Sequence, residues 1–268
     1  MTDDGPDECV RDSLPPDLHA RDEAFERAAR ACLALWEDVL PLQLQTSDSV
    51  LFNVCFPLAA HALNQVAAAL ELQRRFPLVA AGNARIGLEH AVASQWVLFT
   101  QGGAEQLVHA MEYQYMTRAQ AFSDALGHPT ELEDIDAMVA VDGRLRSWNI
   151  GNVMNRFADS GLFYDRYREL SQAIHPSYAT LQAHTDIASQ HMVSRVDRSG
   201  RETEIESVPE TLGLTAVLAM DTVERLRAAN SRLDKVEAIA AAAGLPANLA
   251  VGDTQPHLWP TSSGGSAG

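Results

Sequence analysis

Arg85 and Glu89 stand four residues apart in the stretch Ala84-Arg-Ile-Gly-Leu-Glu-His-Ala-Val-Ala-Ser-Gln-Trp-Val-Leu-Phe99, which is otherwise apolar on nearly every side. In a helix this spacing puts guanidinium and carboxylate on one face, and the apolar surroundings turn that helix inward. A charge taken out of water needs a partner. The pattern therefore predicts a buried Arg85–Glu89 pair, which either fixes helix packing or lines a polar pocket inside a bundle. His90 falls on another face of the same helix. A second group follows later in the chain: Tyr164, Arg168, Ser171 and His175 form one stripe at helical spacing, with Tyr178 just beyond Pro176. The residue before a proline is driven out of the helical region, which puts His175 at a helix junction with Ser177 capping the next helix. Such a stripe can simply face water. It can equally bring hydroxyls, a guanidinium and an imidazole that titrates near neutrality to one place. Arg85, Glu89, Ser171, His175 and Tyr178 are the candidate binding pocket.

The two groups also carry a resemblance. Arg-x-x-x-Glu at Arg85 and Glu89, followed by Ser-x-x-x-His-x-Ser at Ser171, His175 and Ser177, resembles an uncharacterised family of bacterial all-helical domains of unknown function, over residues 30–190. That resemblance implies a fold and no mechanism. More remotely, the chain is similar to HEPN domains, helical bundles of toxin and phage-defence ribonucleases whose motif is Arg, four to six residues, then His. Arg85 with His90 and Arg168 with His175 both fit, and with nine His and nearly all of the 20 basic residues being Arg, chance spacing supplies as many matches. The first lies inside an apolar helix, a poor place to meet RNA. For the second, the resemblance implies that Arg168 stabilises the transition-state phosphate while His175 orients the attacking 2′-hydroxyl.

Other chemistries find little support. His175, His184, Asp186 and His191 are close in sequence, and His109 with Glu112 makes a His-x-x-Glu, but neither the paired Glu-x-x-His of di-metal bundles nor a His-Glu-x-x-His zinc helix occurs. No metal and no cofactor is expected. The acidic run Glu131, Glu133, Asp134, Asp136 reads as helix-start charge. Gly-x-Ser-x-Gly, Walker and dinucleotide-binding loops are missing from the sequence. Cys9, Cys32 and Cys55 are too scattered for a zinc knuckle or a disulfide framework, which suits a reducing cytoplasm. A net charge of −16 repels phosphate backbones and argues against broad nucleic-acid binding.

The elements that must position these residues are helices. With 46% apolar residues the chain can build a substantial core, and apolar residues recur at three and four through long Ala-, Leu-, Glu- and Arg-rich segments. The expected fold is all-α, an antiparallel multi-helix bundle with helices near 19–46, 48–74, 77–100, 103–126, 131–147, 161–174, 177–190 and 207–243. A small β-hairpin is expected over 192–207, turning at Asp197–Gly200. Residues 19–251 read as a single domain, between an acidic tail over 1–18 and a second tail over 252–268, both expected to be disordered. Ser49–Leu70 carries no Asp, Glu, Lys or Arg, yet Asn53, Pro57, His61, Asn64 and Gln65 make it a core helix and not a membrane span. Ser207 and Glu210 predict a capping box opening the last helix, and Gly244 its end. Along that helix Leu212, Ala216, Ala219, Val223, Leu226, Leu233 and Ala240 approach a heptad seam containing Asn230. The seam predicts either a homo-oligomer through the C-terminal helix or packing in cis with a break near Asn230–Ser231. The functional expectation is a helical-bundle protein acting by partner or small-ligand binding, with a HEPN-like metal-independent ribonuclease as the alternative.

Overall fold

The computed structural model describes residues 16–38, 49–127, 149–157, 160–177, 180, 185–188, 192–196, 205–228 and 231–249. Among them the chain forms an all-α bundle: α1 Pro16–Glu37, α2 Ser49–Leu72, α3 Pro77–Phe99, α4 Gly103–Ala125, α5 Ile150–Met154, α6 Ser160–Ser171, α7 Ser207–Leu226 and α8 Leu233–Ala243. The helix expected over 131–147, Tyr178, Asn230, residues 1–15 and the tail over 252–268 lie outside the described residues, while Pro16–Leu18 of the expected N-terminal tail belong to α1.

Helix α7 is the axis of the bundle. It packs against α1, α2 and α3, and its buried residues occupy every side, from Val208 and Leu212 to Val223 and Leu226. Close approach is made possible by small residues. A Cβ on Gly213 would stand 2.9 Å from the Phe25 carbonyl oxygen of α1, and one on Gly87 of α3 would stand 3.2 Å from the Thr215 methyl and 3.3 Å from Gln65 Cβ of α2. Ala59, Ala62 and Ala69 of α2 and Ala80, Ala81, Ala84 and Ala91 of α3 are buried with them. Such contacts allow backbones to near one another so that dispersion and apolar burial are gained along the whole helix. α2 is also the one helix among the described residues long and apolar enough to cross a membrane, and it buries Cys55, Leu63, Val66 and Leu70 within the bundle. Cys32 and Cys55 are buried thiols, and burial pushes the Cys32 thiol up to about 12.

Three expectations are corrected. The single C-terminal helix over 207–243 is two helices, broken about where the cis-packing alternative put the break: Arg227 leaves the helical region at φ −83° and ψ 127°, and α8 begins at Leu233. The break is held by Glu224, fully buried, which accepts from Arg232 Nε at 3.1 Å, Nη2 at 2.8 Å and backbone N–H at 2.8 Å. Arg232 Nη2 also donates to the Leu35 carbonyl at 2.8 Å, tying the corner to α1. The seam residues Leu212, Ala216, Ala219, Val223, Leu226 and Ala240 are accordingly buried within the protein's own core. Gly244 does terminate α8, in the left-handed region at φ 66°, with Leu245 N–H bonded to the Ala240 carbonyl at 2.9 Å.

Of the hairpin expected over 192–207, residues 197–204, with the turn at Asp197–Gly200, lie outside the described residues. Met192–Val196 instead runs antiparallel to the preceding Thr185–Ala188, in a segment allotted from sequence to a helix over 177–190. In the backbone register Thr185 is paired with Val196 and Ile187 with Val193, and β-branched residue types favour strand over helix. Ile205 leads into α7, its carbonyl accepting a bond from Val208 N–H at 3.0 Å. Nor does the capping box close. Ser207 Oγ is buried without a partner, and Glu210 reaches Arg166 of α6 at 2.8 Å and Arg21 of α1 at 3.4 Å. Two guanidiniums outbid one backbone N–H for the carboxylate, because charge-assisted bonds are the stronger.

Candidate binding site

Helix α3 is buried along nearly its whole length, because α2, α4, α5, α6 and α7 all lie against it. Its charged pair sits on the side facing α6. Arg85 Nη2 lies 2.8 Å from Glu89 Oε1, with the two side chains 15% and 27% exposed, so the pair is formed but only partly withdrawn from water. Arg85 Nη2 also donates to Tyr167 Oη at 2.6 Å, and its guanidinium lies 4.6 Å from the centre of that ring. Its Nε is enclosed with no acceptor. The α6 segment is thereby brought to the ion pair. Ser171, one turn beyond Tyr167, turns its hydroxyl back to the Tyr167 carbonyl at 2.6 Å, the local bond that a serine within a helix commonly makes. Ile174 meets α3 at Gly82, where an added Cβ would stand 3.0 Å from its methyl. His175 is exposed, as is Arg168, whose guanidinium lies 5.9 Å from the Tyr164 ring centre.

Further along the same face of α3, eleven residues or about three helical turns from Arg85, Trp96 is buried. Arg156, at the end of α5, lies over it at 5.9 Å and is 7% exposed. Burial holds its pKa below the usual arginine value. α5 is stitched to α6 where Gly151 meets the Tyr164 ring, and Tyr164 stacks toward Tyr167 at 6.3 Å. Three arginines, Arg156, Arg168 and Arg85, thus lie over Trp96, Tyr164 and Tyr167 where α3, α5 and α6 meet. No protein-family model, curated protein or solved structure matches the chain. What the face can do is therefore read from its chemistry. Arginine stacked on an aromatic ring is held flat, with its N–H edges free to meet acceptors in the ring plane.

Sequence reasoning missed Tyr167, Trp96 and Arg156 as members of this face. Tyr167 was open to it, lying four residues before Ser171, whereas the approach of Arg156 to Trp96 has no local signal. His61 was missed as well. Its ring centre lies 4.5 Å from that of His90, and burial first, then the charge of His90, lowers its pKa. His90 Nδ1 lies 2.8 Å from the Ile86 carbonyl of its own helix, which takes it away from any partnership with Arg85 as a ribonuclease pair. Among the described residues no group of three His, Cys, Asp or Glu side chains is arranged to hold a metal ion.

A second polar cluster joins α3 to α7. Gln95, fully buried, directs its Nε2 to the Leu218 carbonyl at 3.0 Å, Asp221 Oδ2 at 2.9 Å and Thr222 Oγ1 at 3.0 Å, and accepts from Leu249 N–H at 3.1 Å. Asp221 also pairs with Arg225 Nε at 2.8 Å, while its Oδ1 has no partner. These bonds link α3, α7 and the chain after α8 through one amide, a role in fixing the packing of the core.

Proposed function

We propose that this protein is a binding module that receives a small ligand, or a short segment of a partner, on the face where α3, α5 and α6 meet. The observation that carries the reading is the partly buried Arg85–Glu89–Tyr167 group on an otherwise apolar helix, with Arg85 Nε left without an acceptor. A purely structural ion pair gains most when every donor is satisfied, and this one is left with capacity to spare. The ligand that fits presents hydrogen-bond acceptors and a flat surface. A thermal-shift panel of nucleotides, aromatic carboxylates and amines on wild type and Arg85→Met tests it. One class should stabilise the wild type and not the variant; equal responses throughout would make the group a packing device.

The ribonuclease alternative rests on Arg168 and His175, both accessible to solvent near the end of α6. Labelled RNA incubated without metal should stay intact; cleavage lost in His175→Ala would put that alternative first. Self-association belongs to the proposal in altered form. With the α7 seam covered by the protein's own helices, a second copy would meet a different surface, such as the exposed Met111, Tyr115, Phe122 and Leu126 of α4.

A further inference from the structure

Arg156 is a buried cation without a counter-ion among the described residues. It is 93% enclosed by its 7% exposure, its Nε and Nη2 have no acceptor, and among the described residues no carboxylate pairs with it. The described arginines elsewhere in the core are provided for: Arg232 and Arg227 lie against Glu224, Arg225 against Asp221, Arg166 against Glu210. The two unsatisfied nitrogens of Arg156 are a matched set. Nε and Nη2 form one side of the guanidinium fork, the edge that receives both oxygens of a carboxylate or two oxygens of a phosphate in parallel bonds. Trp96, with its ring centre 5.9 Å away, offsets part of the cation's lost hydration. It cannot supply an acceptor. We propose that the Nε–Nη2 edge of Arg156 is an oxyanion subsite, which binds a carboxylate or phosphate group of a small ligand with Trp96 as its floor.

Position supports the assignment. Arg156 follows α5 by two residues, and α5 itself lies against α6, where a Cβ added to Gly151 would stand 3.1 Å from the Tyr164 ring. The inference deepens the binding reading above by naming the ligand's charge, and the two can fail separately, since Arg156 lacks its acceptor whatever the Arg85 group does.

The test is thermal denaturation and calorimetric titration of the full chain with inorganic phosphate and, separately, with acetate, each against sodium chloride at matched ionic strength. Wild type should show a saturable rise in Tm with at least one of the two oxyanions, and which one responds assigns the ligand group. Arg156→Met should lose that response, and Arg156→Lys, which keeps the charge but not the fork, should bind at least about tenfold more weakly, the equivalent of ~1.4 kcal/mol. Arg85→Met should keep the response to the bare anion. A wild type with no saturable response to either anion overturns the proposal, and more so if Arg156→Met is also less stable, because a carboxylate of the chain itself would then hold the fork. An undiminished response in Arg156→Met overturns it equally. Should Arg156→Met not fold, the Arg156→Lys comparison decides alone.

Discussion

Asp221 shows how much of this protein's behaviour is decided by single enclosed atoms. Burial pushes its carboxyl above the usual value of 3.8, against the lowering effect of its bonds from Arg225 and Gln95. A group whose folded pKa is raised contributes most stability below its unfolded pKa, and that contribution is lost as pH rises through the folded value. Asp221→Asn preserves the shape and an acceptor for Gln95 while removing the titration. The stability of wild type relative to Asp221→Asn should therefore fall as pH is raised from about 3.8 upward, and then level off. Denaturant unfolding of both proteins between pH 3.5 and 7 reads the difference directly, with titrations common to both cancelling; a difference that rises with pH would show the Arg225 pair dominating burial. At this scale the sequence was legible only where partners share a helix. Arg85 and Glu89 could be paired from their spacing of four, but Gln95 with Asp221, Arg156 with Trp96 and His61 with His90 are meetings between distant helices. No periodicity of either helix records which residue it will meet.

The corner between α7 and α8 makes the same point for elements. Apolar spacing continues from Leu212 to Ala240, so the sequence pattern favours one helix, yet the chain turns at Arg227. What decides is Glu224, a fully buried carboxylate surrounded by Arg227 at 3.2 Å and by three donors of Arg232. An uninterrupted helix would carry Arg232 two turns past Glu224, beyond reach of a salt bridge. By folding back, α8 returns Arg232 to the carboxylate and buries Val236 and Ala240. Glu224→Ala would leave two largely buried guanidiniums uncompensated, and should cost roughly 3–5 kcal/mol, with Glu224→Gln costing less because an acceptor remains. Chemical denaturation provides the measurement, and a loss below about 1 kcal/mol, the range of exposed ion pairs, would mean that the corner is set by backbone packing alone. The existence of six helices was readable from apolar periodicity and from Pro and Gly at their ends. Their terminal details were not, because Glu210, which local rules assign to a capping box, is taken by Arg166 and Arg21 from other helices.

For the whole molecule the governing quantity is charge. A net −16 over 268 residues keeps chains apart in solution but also sets the surface of each one against itself. Two effects of added salt then compete. Screening relieves repulsion among the excess carboxylates, and it weakens the exposed pairs such as Arg27–Glu23 and Arg166–Glu169. The exposed pairs contribute little, typically under about 1 kcal/mol each, while those at Glu224 and Asp221 are too enclosed for mobile ions to reach. Repulsion should dominate. Raising sodium chloride from about 10 mM to about 150 mM shortens the screening length from ~30 Å to ~8 Å, less than the span of the bundle, and Tm should climb by about 2–4 °C for each kcal/mol of repulsion removed. A Tm that falls instead would show specific ion pairs outweighing the excess charge. The response should be nearly the same in Arg156→Met, because a chloride at the fork offers one diffuse acceptor shared by two N–H groups, where an oxyanion offers two oxygens in parallel bonds. Phosphate at the same ionic strength should separate the two proteins, which distinguishes a charged surface relieved by any salt from a guanidinium that requires an oxyanion.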